Sequence, residues 1–365
     1  MKIAANRILV IATRQIGDVL LVTPLLHSIR RAYPDACIDV LVFENKADIL
    51  SGNPDINTTI TIAERPSSEQ YKALLSHIFR RYDLAISTLT GDRPIFYAFL
   101  AAKKRISVVP ADRWQDKWKR FINQAWCEFD DDNTHTVTQN LQLAKLLEIP
   151  LHYKVQLPQH PDSIKRLNDC LPFAWQQEKF IVLHLLPMWF YKRWSTKAWC
   201  QLASYLGQKN YKIVLTGGNG HTELSYIETL KPCMPVGTVS TAGQLHFSEV
   251  ARLLQSASLY IGPDTAVTHL AAAAGTPTVA LFGPTNPIKW APYPKAYTCE
   301  SGSPYQRKGM QKKGNILLIQ GEDERQCVPC HEEGCDRHRQ SNSRCLQNLS
   351  ANTVITAIQQ HYPHI

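Results

Sequence analysis

Three separate groups of residues have the types and spacing to do chemistry. The first is Gly262-Pro263-Asp264-Thr265, with His269 four residues beyond Thr265. This turn joins an apolar strand beginning at Leu259 to an Ala-rich helix. Gly275-Thr276-Pro277 then leads into a second apolar strand that ends at Phe282-Gly283-Pro284-Thr285. The helix start at Thr265 presents unpaired N–H groups and a positive dipole end, which suits a phosphate, and Thr265 and His269 share one helix face. The same residues also fit a plain N-cap at Asp264 and an ordinary packed histidine. The second group is Asp18, in the loop Thr13-Arg14-Gln15-Ile16-Gly17-Asp18. A carboxylate there serves as a base or as the cap of the helix that follows, and the residues alone favour the cap. The third is Lys192, in Tyr191-Lys192-Arg193-Trp194; taken alone it reads as a surface lysine in a loop.

A fourth cluster lies near the end of the chain. Cys327-x-x-Cys330, Cys335 and Cys345, with His331 and His338 among them, have a spacing open to Zn²⁺. Reduced structural thiols are the favoured reading, metal the second and a disulfide the third.

An alternation of strands and helices must position these groups. Arg7–Ala12 is a short continuous apolar run of the kind found in buried parallel strands. A helix from Val19 ends before Pro34. Strands follow at Ile38–Phe43, Thr58–Ile62 and Tyr82–Thr88, with a helix at Tyr71–Arg81. Prolines 158, 161 and 172 break the pattern, and a domain boundary falls there. A second alternation then runs through strands at Phe180–Leu185, Lys212–Thr216 and Pro235–Val239 and helices at Thr196–Gly207, Thr222–Leu230 and His246–Ser256, up to the Gly262 unit. The class is α/β, with two Rossmann-like halves and ligands expected at the carboxyl ends of the strands.

Lys103–Trp126 stands apart. If Asp112–Ala125 is helical, Arg113, Lys117 and Arg120 share one face, beside a stripe of Trp114, Trp118 and Phe121. The favoured reading is an amphipathic helix whose aromatics pack on the core. The other is a patch for a membrane surface or an anionic acceptor.

The 365 residues suggest about two domains, and the net charge of +9 favours anionic partners without choosing among them. No nucleic-acid motif, signal peptide or bilayer-spanning apolar run is visible, so a cytoplasmic protein is expected. The first strand leads to no G-x-G-x-x-G, which disfavours a Rossmann oxidoreductase. Asp130-Asp131-Asp132 reads as a solvated loop, and no Asp-x-Asp metal site is convincing.

Taken in order, RILVIATRQIGDVLLVTPLLHSIRRAYPDACIDVLV, the Tyr191–Trp194 segment, the Gly217-Gly218 turn and IGPDTAVTHLAAAAGTPTVALFGPTNP resemble the family 9 glycosyltransferases, the lipopolysaccharide heptosyltransferases. The resemblance covers most of the chain and is weakest over the middle of the N-terminal half and Glu300–Arg325. It implies the GT-B architecture: an acceptor domain at 1–165, a donor domain at 166–350 facing it across a cleft, and a final helix in 351–365 that crosses back to the first domain. It implies ADP-heptose or a related nucleotide sugar as donor and the lipopolysaccharide inner core (Kdo or heptose) as acceptor. The reaction would be inverting, without metal or cofactor, at the cytoplasmic face of the inner membrane. In this frame Asp18 becomes the general base. Lys192 and the N–H groups of Thr265, Ala266 and Val267 hold the diphosphate, Asp264 positions the loop or the sugar, and His269 buttresses it. Leu245 lies by the adenine, Glu223 near the ribose, and Arg14, Arg113 and Lys117 toward the acceptor. The family often has Gly where this chain has Ala266, and the acidic position at Glu223 is shifted. A glycosyltransferase with another donor or acceptor, and an idle carbohydrate-binding protein of the same fold, are the alternatives.

Overall fold

In the computed structural model, which describes residues 3–111, 114–298 and 300–365, the chain folds as two units. The first comprises residues 1–158 with 296–303, and the second 159–295 with 304–365. The expectation was a division after residue 165, with only the final helix returning to the first domain. The returning stretch is held inside the first unit: the His135 N–H donates to the Gly302 carbonyl at 3.0 Å, and Lys145 Nζ donates to that of Glu300 at 2.5 Å.

The first unit is built on β1 (Arg7–Ile11), β2 (Cys37–Phe43), β3 (Thr58–Ile62), β4 (Tyr82–Ser87), β5 (Ala102–Val109) and β6 (Ala125–Glu128). They pair in the order β3-β2-β1-β4-β5-β6, every pair parallel. This is the doubly wound Rossmann order, whose direction of progression reverses between β1 and β4. Four of the five β1 residues are fully buried, as a strand covered on both faces requires. The apolar stretch from Val19 to Ala32 divides into two helices, Ile16–Leu20 and Thr23–Ala32. Pro24 explains the break. It has no N–H to continue a ladder and fits a first turn, while Thr23 Oγ1 closes on the Leu20 carbonyl at 2.7 Å.

The second unit contains β7 (Phe180–His184), β8 (Lys212–Thr216), β9 (Val239–Ser240), β10 (Leu259–Pro263), β11 (Thr278–Phe282), β12 (Gln311–Lys313) and β13 (Ile316–Gln320). The order β12-β13-β11-β10-β7-β8-β9 repeats the Rossmann arrangement, with β12 added antiparallel at one edge. The reversal here falls between β7 and β10. The helix Thr196–Gln208 buries Ala198, Trp199, Leu202, Ala203 and Leu206 on one face. Ser195 caps it, its hydroxyl accepting from the Ala198 N–H at 3.2 Å, a bond of the kind that contributes about 1 kcal/mol. The last helix, Ala351–His361, buries Val354, Ala357 and Ile358 in the second unit's core, whereas the resemblance sends it toward the first domain. Cys200 and Cys233 form a disulfide between the Thr196–Gln208 helix and the turn at Lys231–Cys233, a pairing with no expectation behind it. Among the described residues no helix is long and apolar enough to cross a membrane.

Candidate active site

Each sheet places chemistry where its strand order reverses. In the first unit the loop after β1 is pinned on both sides: the Ala12 N–H bonds the Leu41 carbonyl at 2.9 Å, and the Thr88 hydroxyl and N–H both reach the Ile11 carbonyl. Beyond it Asp18 occupies the first turn of Ile16–Leu20, a helix whose N-cap is Gln15. Asp18 is therefore not the cap that its residue type suggested. Its side chain is 17% exposed, and Arg14 Nε lies 3.6 Å from its Oδ1. The structure brings these two expected residues together. Lys117 lies elsewhere in this unit, exposed, with its ammonium 4.7 Å from the centre of the Trp114 ring. Arg113 lies outside the described residues.

In the second unit the carboxyl ends of β7 and β10 frame the site. Lys192 sits in a 3₁₀ turn, Phe190–Lys192, fixed by its neighbours. The Arg193 guanidinium stacks 3.4 Å above the Phe190 ring, and buried Trp194 donates from Nε1 to the Leu349 carbonyl at 2.7 Å. Lys192 Nζ reaches Asp264 Oδ2 at 2.5 Å. Asp264 is buried, and Thr265 after it is the N-cap of the helix Ala266–Ala274. The Thr268 and His269 N–H groups bond the Thr265 carbonyl, so those of Ala266 and Val267 precede the helical ladder. The Thr265 hydroxyl takes no capping bond. It lies 3.2 Å from the Thr268 hydroxyl, which also meets the Tyr260 hydroxyl at 2.8 Å and bonds the Pro263 carbonyl. A Cβ at Gly262 would overlap that tyrosine hydroxyl, so the turn requires glycine for space.

Buried His269 is held neutral, its pKa lowered to about 4 by desolvation, and its Nδ1 meets no hydrogen-bond partner among the described residues. The sequence reading missed His184. It ends β7, lies 3.1 Å from Thr216 Oγ1, and is likewise lowered to about 4 by burial. A histidine closing an apolar strand at a sheet's carboxyl edge was the signal for it.

The remaining expected residues follow β8 (Glu223) and β9 (Leu245) in the second unit. Leu245 is half-buried just before the Phe247–Ser256 helix. The Glu223 carboxylate turns back onto Gly218, whose N–H it accepts, and burial raises its pKa. In the tail, Cys327 and Cys335 are exposed, Cys330 half-buried and Cys345 buried, all as free thiols. Burial pushes the Cys345 thiol up to about 12 and raises Cys330 and Cys335, so each is held protonated at neutral pH. Among the described residues no three His, Cys, Asp or Glu side chains are arranged to hold a metal ion.

The second reversal thus carries a lysine and the start of a helix, an arrangement that suits an anion, and the first carries a carboxylate. Two Rossmann-like units so equipped define a glycosyltransferase fold of the GT-B class. The model of glycosyltransferase family 9 (heptosyltransferase) matches residues 79–318, and the chain belongs to that family. It is 30% identical over 288 residues to lipopolysaccharide heptosyltransferase 3 of Escherichia coli K12, covering 76% of this chain and 82% of that one. Its fold matches a family 9 glycosyltransferase from Veillonella parvula (TM-score 0.75, 18% identity, 99% and 98% of the two chains). It also matches E. coli heptosyltransferase WaaC with ADP (TM-score 0.69, 20% identity, 97% and 99%).

Proposed function

We propose that this glycosyltransferase moves heptose from ADP-heptose to the lipopolysaccharide inner core, onto Kdo or heptose, with inversion and without a metal ion. The observation that carries the reading is the Lys192–Asp264 pair beside the start of the Ala266–Ala274 helix. The E. coli relative's name supplies the sugar and the acceptor class, and the ADP seen with WaaC supplies the nucleotide.

Asp18 takes the proton of the acceptor hydroxyl. The acceptor oxygen forms its bond to the anomeric carbon as the bond from that carbon to the diphosphate breaks, and the electron pair leaves with ADP. Lys192 and the Ala266 and Val267 N–H groups meet the charge that grows on the leaving phosphate, the work a metal ion would otherwise do. Asp264 holds Lys192 in place rather than touching phosphate, since like charges repel. Leu245 lines the adenine side and Glu223 the ribose side. Arg14 meets the anionic acceptor while steadying Asp18. The acceptor is lipid-linked, so transfer takes place at the cytoplasmic membrane face.

Calorimetry with ADP-heptose and with ADP-, UDP- and GDP-hexoses tests the donor. Selective binding of the ADP sugars with ADP-heptose strongest is expected, and binding of a UDP-sugar alone would overturn the assignment.

A further inference from the structure

The helix Lys117–Ile122, with the 3₁₀ turn Trp114–Asp116 before it, is built inside out. Its inward positions are polar: Asp116, Lys119 and Asn123 are all buried. Lys119 Nζ donates to Asp116 Oδ1 and Asp92 Oδ1, each at 2.7 Å, and to the Thr90 carbonyl at 2.9 Å. Asn123 Oδ1 accepts from the Ser107 hydroxyl at 2.9 Å. These bonds fix which side of the helix faces the protein. The outward positions, spaced four and then three apart, are therefore the aromatic ones: Trp114 is 85% exposed, Trp118 41% and Phe121 92%. The expectation that this stripe packs on the core is corrected by that polar interior.

Scattered exposed apolar residues need no explanation, but three large aromatics on one short helical face do. The surroundings state the partner's chemistry. Of the seven Lys and Arg in residues 101–128, Lys119 is paired with Asp116 and Asp92 and Arg120 with Glu128, while Lys103, Lys104 and Lys117 face solvent. Lys117 flanks Trp114, and Lys103 and Lys104 are exposed at the start of β5. That strand end is tied to the end of the helix through Arg105 Nε on the Ile122 carbonyl at 2.7 Å and Gln124 Nε2 on the Lys103 carbonyl at 3.0 Å. Aromatic rings that settle at the boundary of headgroups and acyl chains, with exposed lysines on the same part of the unit, match an anionic lipid surface.

We infer that Trp114, Trp118 and Phe121, with Lys103, Lys104 and Lys117, form a docking surface for an anionic lipid bilayer. This deepens the membrane-face reading above by naming the surface, and it is measured without donor or acceptor. The full chain is sedimented with vesicles of phosphatidylglycerol and phosphatidylcholine, and with phosphatidylcholine vesicles alone, in 0.1 M salt. Wild type is expected to partition at least tenfold more strongly onto the anionic vesicles, and less at 0.5 M salt. The double variant Trp114→Ser, Phe121→Ser should lose roughly tenfold or more. The pair Lys103→Ser, Lys104→Ser should lose about fivefold per lysine on anionic vesicles alone.

ADP binding by calorimetry, expected unchanged in both variants, reports on fold and on the donor site separately. Wild-type tryptophan fluorescence should be quenched by vesicles with brominated acyl chains, which tests insertion without any substitution. Partitioning that ignores lipid charge, that survives the aromatic double variant, or that brings no quenching would overturn the inference. So would light scattering that shows a dimer built on these aromatics with no vesicle binding, which would hand the face to a second copy of the chain.

Discussion

Lys192 Nζ and Asp264 Oδ2, seventy-two residues apart in sequence, lie 2.5 Å apart beside the start of the Ala266–Ala274 helix. Asp264 is almost fully buried and Lys192 mostly so. The carboxylate holds the ammonium at the place where a helix start already favours an anion. Lys192→Ala removes a charge-assisted contact and should weaken ADP binding roughly thirtyfold by calorimetry, about 2 kcal/mol. Unchanged affinity would remove Lys192 from the donor site.

Asp18 has a different part, so its substitution should read differently. On the proposed mechanism, Asp18→Asn keeps the shape and loses the base. Turnover should fall by about 10²–10⁴-fold while ADP affinity stays as in wild type. A variant that still turns over at the wild-type rate would dismiss Asp18 as the base.

His184 and His269 give stability a dependence on acid. Both are lowered from 6.5 to about 4 by burial, so the unfolded chain binds their protons first as pH falls. Their stabilisation is complete above about pH 6.5 and drains away as pH drops toward 4, by up to ~3 kcal/mol for each histidine. Urea unfolding at pH 7, 6 and 5 checks the sign. The double variant His184→Gln, His269→Asn should show a shallower loss over that window than wild type, and an identical slope would refute the account.

Gly321 follows β13 and lies against the cysteine-rich tail. A Cβ there would sit 2.7 Å from the Cys345 carbonyl carbon and closer still to its oxygen, and backbone cannot swing aside as a side-chain tip does. Gly321→Ala should destabilise by ~1–3 kcal/mol, seen as a lower thermal midpoint. Wild-type stability would mean that the tail does not pack on β13 as described.

Much of the architecture was legible because buried parallel strands declare themselves as apolar runs, as RILVI and FIVLH do. The chemistry of single residues was less so. Asp18 has the residue type of an N-cap, yet Gln15 takes that place, because where a helix starts depends on the chain that enters it. Period 3.6 set Trp114, Trp118 and Phe121 in one stripe, but periodicity names faces without saying which is inside. That was decided by Asp92, a partner more than twenty residues away. Strands β5 and β6 were missed, β5 behind its Lys-Lys-Arg opening and β6 because it begins at Ala125, the last residue of a stretch read as helix. Ile316–Gln320, bracketed by Gly314 and Gly321, had the ordinary mark of a core strand and was passed over in a region of weak resemblance.

The return of residues 296–303 to the first unit has a practical meaning. The chain passes from one unit to the other three times, at 158/159, 295/296 and 303/304, so no single cut separates them. A fragment begun at Gln159 would carry Glu300 and Gly302 without Lys145 and His135, the residues that bond them. A fragment ended at Pro158 would lack the segment those two hold. To make either unit alone, the eight-residue excursion must be excised from one piece and supplied to the other.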